Sequence, residues 1–341
     1  MQLSLWALIK DQWTTVPPVA KADLKDKTVI VTGANVGLGF EAAKHFARMN
    51  PGKLILACRN KEKGEAAVNG IKQETGCDTV EVWSLDLQSF ASVKSFAEKF
   101  EEEGNRLDIL VENAGTLPTN KLEFTADGWE TSVQTNDLST SLLALLLLPR
   151  LLDTAEKFNT APRLVVLTSE THYWSKPDKR ILDSPNPFNQ YAHKDHLISR
   201  KGGFDRYTVT KLLNILFVRA LDERLHRKPL IVNAVNPGYC YSAFRRDLKG
   251  IRRFFDRLME LSLARTTEEG SRVPVWAAVG AEEKKDQLRG AYISLMKVEE
   301  PSDFVVSAEG KAAQEKFWNN LIEELNQVEP KVSQIVSQYL S

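Results

Sequence analysis

One unit recurs along most of this chain: a short run of β-branched and apolar residues, then a stretch with helical spacing. The runs are "KTVIVTG" (27–33), "KLILACR" (53–59), "TVEVWSLDL" (79–87), "LDILVENAG" (107–115), "RLVVLTS" (163–169), "LIVNAVNPG" (230–238) and "GAYISLM" (290–296). Strand, helix and parallel strand close in one hand, so the alternation predicts right-handed βαβ crossovers and a parallel sheet covered by helices on both faces. The expected class is α/β: one domain with a doubly wound parallel sheet of about seven strands. No Pro/Gly/Ser linker, low-complexity tract or internal repeat divides the sequence. The rhythm sets an N-terminal extension at 1–24, the main domain at 25–300 and a helical tail at 301–341. Two segments interrupt it, a long irregular insertion at 170–203 and a basic amphipathic stretch at 239–265. Both follow strand C-termini, the edge at which open α/β sheets bind ligands, and both are expected to wall a pocket.

Composition excludes several partners. Forty-five Lys and Arg balance 45 Asp and Glu, so no net field recruits nucleic acid. Cys58, Cys77 and Cys240 are an odd set without a CxxC pair, and no Asn-x-Ser/Thr acceptor occurs. A reducing, cytoplasmic setting fits. The opening "MQLSLWALIKDQW" is too short in apolar length to span a membrane and has no small-residue cleavage site. It is expected to pack on the protein, with an interfacial role for Trp6, Ile9 and Trp13, and hence peripheral membrane association, as the alternative. Leu142 to Leu148 are seven consecutive apolar residues stopped by Pro149 and Arg150, which favours a core helix.

The first strand run leads into "VTGANVGLG", where Gly33, Gly37 and Gly39 open a helix, with Asn35 and Leu38 on the same turn. Glycines let backbone approach a pyrophosphate, and the helix start offers free N–H groups and the positive end of a dipole. The spacing differs from G-x-G-x-x-G, and the absence of Lys-Ser/Thr after the last glycine excludes a P-loop. The second run ends in "LACRN". No carboxylate stands there to accept bonds from a ribose 2′-hydroxyl; Arg59 and, one helical turn on, Lys63 suit a 2′-phosphate, hence NADP over NAD.

In "GGFDRYTVTKLLNIL", Tyr207 and Lys211 are four residues apart on one helical face. A phenol titrates near ~10, and a fixed neighbouring cation favours its anion, making it a usable acid or base. Such a pair alone is commonly a core-edge Tyr beside a snorkelling Lys. Here Ser169 ends the fifth strand run and Asn136 lies in the preceding long helix.

Together these motifs resemble the short-chain dehydrogenase/reductase family: T-G-x3-G-x-G, Asp86 ending the third strand, Asn113-Ala114-Gly115 ending the fourth, then Asn136, Ser169, Tyr207-x3-Lys211, and Pro237-Gly238 after the sixth. The likeness spans roughly 25–300 and implies a Rossmann-like three-layer sandwich. "LACRN", "TSVQTNDLS", "YTVTKLLNILF" and "SAEGKAAQEKFWNNL" are most similar to the branch of retinol dehydrogenases and WW-domain oxidoreductases, whose fungal members often serve secondary metabolism. The resemblance implies Tyr207 as proton donor in reduction, Lys211 lowering its pKa and binding the nicotinamide ribose, Ser169 holding the substrate oxygen, and Asn136 holding a water that feeds protons to Lys211. It also implies Asp86 at the adenine, Asn113 on the adenosine side, and the loop with Cys240 and Ser242 at the carboxamide. The function expected is NADP-dependent interconversion of a ketone or aldehyde and an alcohol on a small hydrophobic metabolite. A non-catalytic NADP-binding regulatory protein and a lyase or epimerase on the same fold are the alternatives.

Two positions depart from the pattern: Glu112 stands where many relatives have Asn, and Ser242 where Thr is common. Glu112 is expected to disturb the adenine side of the cleft. The stripe Phe244, Leu248, Ile251, Phe255, Leu258 with Arg245, Arg246, Arg252 and Arg253 is expected to be a lid over an apolar substrate, or a membrane-surface helix. His193, Asp195 and His196 lie in the insertion without further ligands and are not expected to bind metal. No G-x-S-x-G elbow supports a hydrolase. Phe317, Leu321 and Leu325 mark a tail helix that packs on the body or forms a homodimer contact.

Overall fold

In the computed structural model, residues 4–104, 106–118, 121–175, 177–198, 203–241, 257 and 259–340 are described. Eight strands form one sheet in the order β3-β2-β1-β4-β5-β6-β7-β8. They are β1 (Thr28–Thr32), β2 (Lys53–Cys58), β3 (Val80–Ser84), β4 (Ile109–Glu112), β5 (Arg163–Leu167), β6 (Ile231–Asn236), β7 (Ala291–Ser294) and β8 (Lys297–Glu299). All neighbours are parallel except β7 and β8. The order reverses between β1 and β4, the switch point at which open sheets leave a crevice beyond the strand C-termini.

The eighth strand exceeds the seven expected. β8 turns back antiparallel through Leu295 and Met296, both at positive φ (51° and 58°). Two central residues in that region give a turn whose twist matches a hairpin. Such turns are normally marked by Asn or Gly; Leu295 and Met296 are instead buried against the core, and that burial opposes the conformational cost.

Each sheet face has its own core. Helices Gly37–Ala47, Lys61–Thr75 and Thr267–Val279 cover one face; Phe90–Glu103, Ser139–Phe158 and Phe204–Arg224 cover the other. The leucine run Leu142–Leu148 is buried at the centre of the second layer. A single helix in the described residues, Thr131–Phe158, is long and apolar enough to cross a membrane, but 78% of its most apolar window is buried inside the fold. Pro149 does not end it; the helix continues to Phe158.

The segment expected to be irregular is largely short helices: a 3₁₀ turn at Glu170–Trp174, then Lys179–Asp183 and Pro187–Ala192. Pro187 opens the last of these at a position where the missing N–H costs nothing. In the tail, Ala308–Val328 packs on the Phe204–Arg224 and Pro187–Ala192 helices, with Phe317, Leu321 and Leu325 buried within the chain. Helix Leu5–Trp13 is anchored by Ser4, which accepts from Ala7 N, and by the Trp13 indole, which donates to Ser262 O at 3.2 Å. Trp6 and Trp13 remain 69% and 65% exposed, while Ile9 is half-buried. Ser242 and the stripe from Phe244 to Leu258 with its four arginines lie outside the described residues.

Leu145 is fully buried in the long helix. Leu145→Ala is expected to lower the unfolding free energy by about 2–5 kcal/mol, read by urea denaturation; a loss near zero would show that this helix does not carry the core.

Candidate active site

The end of β5 and the start of the Phe204–Arg224 helix are joined by Lys211. Its ammonium donates to Leu167 O at 2.9 Å and to Asn214 Oδ1 at 3.1 Å, and Thr168 Oγ1 donates to Lys211 O at 2.6 Å. Lys211 is 5% exposed. Burial lowers its pKa to about 8, and the charge of Asp137 opposes that fall. Its ammonium lies 5.8 Å from the centre of the Tyr207 ring, and Tyr207 is half-buried in the first turns of the helix. Arg206, 1% exposed, fixes that helix start: Nη1 donates to Tyr191 O at 2.7 Å and the guanidinium stacks 4.4 Å from the Tyr191 ring.

Ser169 directly follows this junction and caps the Glu170–Trp174 turn, its Oγ accepting from Thr171 N at 3.2 Å. His172 closes the turn from behind. Nδ1 lies 2.8 Å from Ser169 O, and Nε2 accepts from Ser302 N at 3.2 Å. The two contacts define the tautomer: Nδ1 carries the hydrogen and donates it to Ser169 O. His172 is 1% exposed between Tyr173 and Tyr292, and burial lowers its pKa to about 4.

Asn136 falls in a π-helical turn, Gln134–Leu138, that leads into the long helix. Such turns insert an extra residue and often occur where a side chain must be re-aimed. Its amide bonds the Thr116 backbone both ways, accepting from Thr116 N at 2.8 Å and donating to Thr116 O at 3.0 Å, and also donates to Thr210 Oγ1 at 3.1 Å. The main-chain oxygen of Asn136 accepts from Asn214 Nδ2 at 2.7 Å. Asn136, Ser169, Tyr207 and Lys211 thus stand on three elements knitted together at one end of β5.

The glycine turn lies across the switch point from this junction. Gly33 and Gly37 have φ of 65° and 66°. Asn113 Nδ2 donates to Thr32 O at 2.8 Å and Gly33 O at 3.3 Å, and Ala114 N donates to Thr32 Oγ1 at 2.9 Å. A Cβ on Gly39 would sit 2.4 Å from Asn113 Nδ2 and 2.7 Å from Gly33 O, so only glycine fits. The following helix starts at Val36 without a side-chain cap, leaving first-turn N–H groups for an anion. Asn35 and Leu38 are half-buried on the turn. This cradle fits a dinucleotide.

Arg59 follows β2, and Asn60 caps the next helix by accepting from Lys63 N at 2.8 Å; Arg59 and Lys63 are both exposed. Asp86 is half-buried beyond β3, its Oδ1 accepting from Gln88 N at 3.0 Å. Past β6, Gly238 (φ 81°) donates to Asn236 Oδ1 at 3.0 Å, and the Cys240 thiol donates to Pro237 O at 3.5 Å, buried against Gly270. Glu112 differs from expectation. It is 3% exposed, neither carboxyl oxygen has a partner among the described residues, and burial raises its pKa well above the carboxylate range. Burial on that sheet face thus disfavours its charged form. No group of three or more metal-ligating side chains occurs among the described residues.

His172, Arg206, Asn214 and Asp137 were not singled out from the sequence. Spacing was the available signal: Asn214 is one helical turn after Lys211, and His172 is three residues after Ser169.

A short chain dehydrogenase family model matches residues 27–169. A short chain dehydrogenase/reductase of Cryptosporiopsis sp., dmxR8, is 37% identical, covering 93% of this chain and 95% of its own. A short-chain dehydrogenase of Penicillium roqueforti, anuD, is 35% identical, covering 98% and 87% respectively. Among solved structures, a short chain dehydrogenase from Escherichia coli CFT073 complexed with NADPH superposes with a TM-score of 0.61 at 24% identity, covering 82% of this chain and 100% of that one.

The neutral His172 makes a pH prediction. Its pKa is about 4 in the fold against 6.5 for a free imidazole, so its stabilisation is complete above pH 6.5 and is lost as pH falls through 4, by about 3 kcal/mol. Urea unfolding across that window should show the wild type losing more stability than His172→Gln; parallel curves would refute it.

Proposed function

The chain belongs to the short-chain dehydrogenase/reductase family, and from that premise we propose that it is an NADP-dependent oxidoreductase interconverting a ketone or aldehyde and an alcohol on a small hydrophobic metabolite, in secondary-metabolite biosynthesis. The observation that carries this reading is the buried Lys211, held by Asn214 and by Leu167 O, two residues before Ser169, and one helical turn from Tyr207. The cofactor would lie along Gly33, Asn35, Gly37, Leu38 and Gly39, with Asp86 and Asn113 toward the adenosine and Pro237, Gly238, Cys240 and Ser242 toward the nicotinamide. Arg59 and Lys63 would hold the 2′-phosphate, because a guanidinium matches phosphate geometry and no carboxylate stands at the tip of β2, where Arg59 and Asn60 follow Cys58.

Bound nicotinamide supplies or takes the hydride. The residues do the rest. As a carbonyl becomes an alkoxide, negative charge grows on its oxygen, and hydroxyl donors fixed there stabilise it more than the ground state. Ser169 holds that oxygen, and Tyr207 gives it a proton. The Lys211 cation favours the phenolate left behind. Asn136, anchored by Thr116, offers its remaining carbonyl lone pair to a water that returns the proton. The NADPH complex of the Escherichia coli structure and the fungal relatives support this reading.

Tyr207→Phe is expected to lower turnover of hydrophobic carbonyls by about 10²- to 10⁴-fold while leaving NADPH affinity within about twofold, read by NADPH absorbance and tryptophan fluorescence; equal turnover in the variant would sink the assignment. Arg59→Ala should weaken NADPH binding by about tenfold or more and leave NADH binding unchanged, since a charge-assisted bond is worth about 1.5–3 kcal/mol. Equal losses for both nucleotides would mean that Arg59 does not read the 2′-phosphate.

A further inference from the structure

Behind Lys211 lies a set of buried polar groups with no part in the reaction described so far. Asn214 is its hub. Its Nδ2 donates to Asn136 O at 2.7 Å and to Asp137 Oδ1 at 3.2 Å, while its Oδ1 accepts from the Lys211 ammonium at 3.1 Å. Exchanging its oxygen and nitrogen would face Oδ1 with two acceptors and the NH₂ with a cation, so the neighbours dictate its orientation.

Asp137 is 3% exposed, and its second oxygen, Oδ2, has no protein partner among the described residues. It borders a cavity of about 20 Å³ walled by apolar side chains of the Phe204–Arg224 and Ala308–Val328 helices. Gln314 lines the same cavity, and its Oε1 is likewise unpartnered while its Nε2 donates to Glu223 Oε2 at 2.9 Å. The volume is about that of one water-sized sphere. An unsatisfied buried polar group costs about 1–3 kcal/mol, and a buried carboxyl costs more when charged. A leucine would pack there without that penalty. The carboxyl therefore needs a function.

We propose that Asp137 is a positioning residue for Lys211: it locks the Asn214 amide that holds the ammonium and supplies the negative charge behind it. The proposal rests on the role given to Lys211 above. Charges around Asp137 are few. Lys211 faces it from the Phe204–Arg224 helix and Glu130 from the turn ahead of the π-helical segment; Tyr191, with Arg206 stacked on it, lies toward the Pro187–Ala192 helix, and the tail helix offers uncharged Gln314 at the cavity. Burial raises the Asp137 pKa well above the carboxylate range, Lys211 opposes the rise and Glu130 adds to it. Each of the two groups thus feels whether the other is charged.

The test reads the lysine directly. The full chain carrying [ε-¹³C]lysine is titrated by NMR, with the Lys211 signal assigned by its loss in Lys211→Met, in the wild type and in Asp137→Asn. The substituted amide keeps an acceptor for Asn214 but cannot ionise. The Lys211 midpoint should fall by about half a pH unit or more, roughly threefold in the ionisation constant; a midpoint unmoved by the substitution overturns the proposal. Should Asp137→Asn fail to fold, the wild type alone decides: the Lys211 curve should bend at the pH where [γ-¹³C]aspartate reports Asp137 titrating, and independent curves overturn it. A chain that binds NADPH but turns over no carbonyl would fail the oxidoreductase reading and leave this titration fully readable.

Discussion

A buried ammonium must be paired with oxygen, and the seating of Lys211 is the requirement on which the rest of the site depends. An uncompensated cation in a core is far too costly to keep, so the residues around it are arranged to supply acceptors. Leu167 O is available because β5 ends there and its carbonyl leaves the ladder. Asn214 Oδ1 is available because the helix places positions i and i+3 on one face. One side chain therefore ties the sheet edge to the helix, and Thr168 repeats the tie by donating to Lys211 O. Ser169 and Tyr207 inherit their positions from this junction, as neighbours in sequence of groups that cannot move.

A second constraint acts across the switch point, and it is steric. The glycine turn and the Asn113-Ala114 segment approach until a single Cβ at Gly39 would overlap both. The closeness is used: Asn113 bonds the carbonyls of Thr32 and Gly33, tying the residues after β4 to the end of β1. The helix that follows the turn starts without a side-chain cap, a local field suited to a pyrophosphate.

Much of this was legible in the sequence because it follows local rules. β-branched runs spaced by helices announce the sheet, and glycines after a strand announce a close approach. Tyr207 and Lys211 share a helix face by spacing alone. What escaped depends on tertiary neighbours. The turn at Leu295 and Met296 lacks Asn or Gly, and its conformation is held by burial that no local signal encodes. Glu112 reads as a charge near the cleft, but alternation along β4 places it on the same sheet face as Leu110, where water cannot reach it. The insertion after Ser169 reads as irregular because its helices are short; they are stabilised by docking on the tail, as when Phe188 N donates to Asn320 Oδ1 at 3.0 Å.

That docking gives the tail a share in the site. His172 accepts from Ser302 N with one ring nitrogen and donates to Ser169 O with the other, so the backbone beyond β8 fixes the ring that fixes the serine. An imidazole serves only while neutral, because protonation would turn the acceptor of Ser302 N–H into a second donor. The aromatic box of Tyr173 and Tyr292 withholds the water that a cation would need. The hairpin that the sequence hides is therefore tied to Ser169 through one ring: β7 and β8 carry the chain to Ser302, and Tyr292 of β7 walls the ring that Ser302 orients.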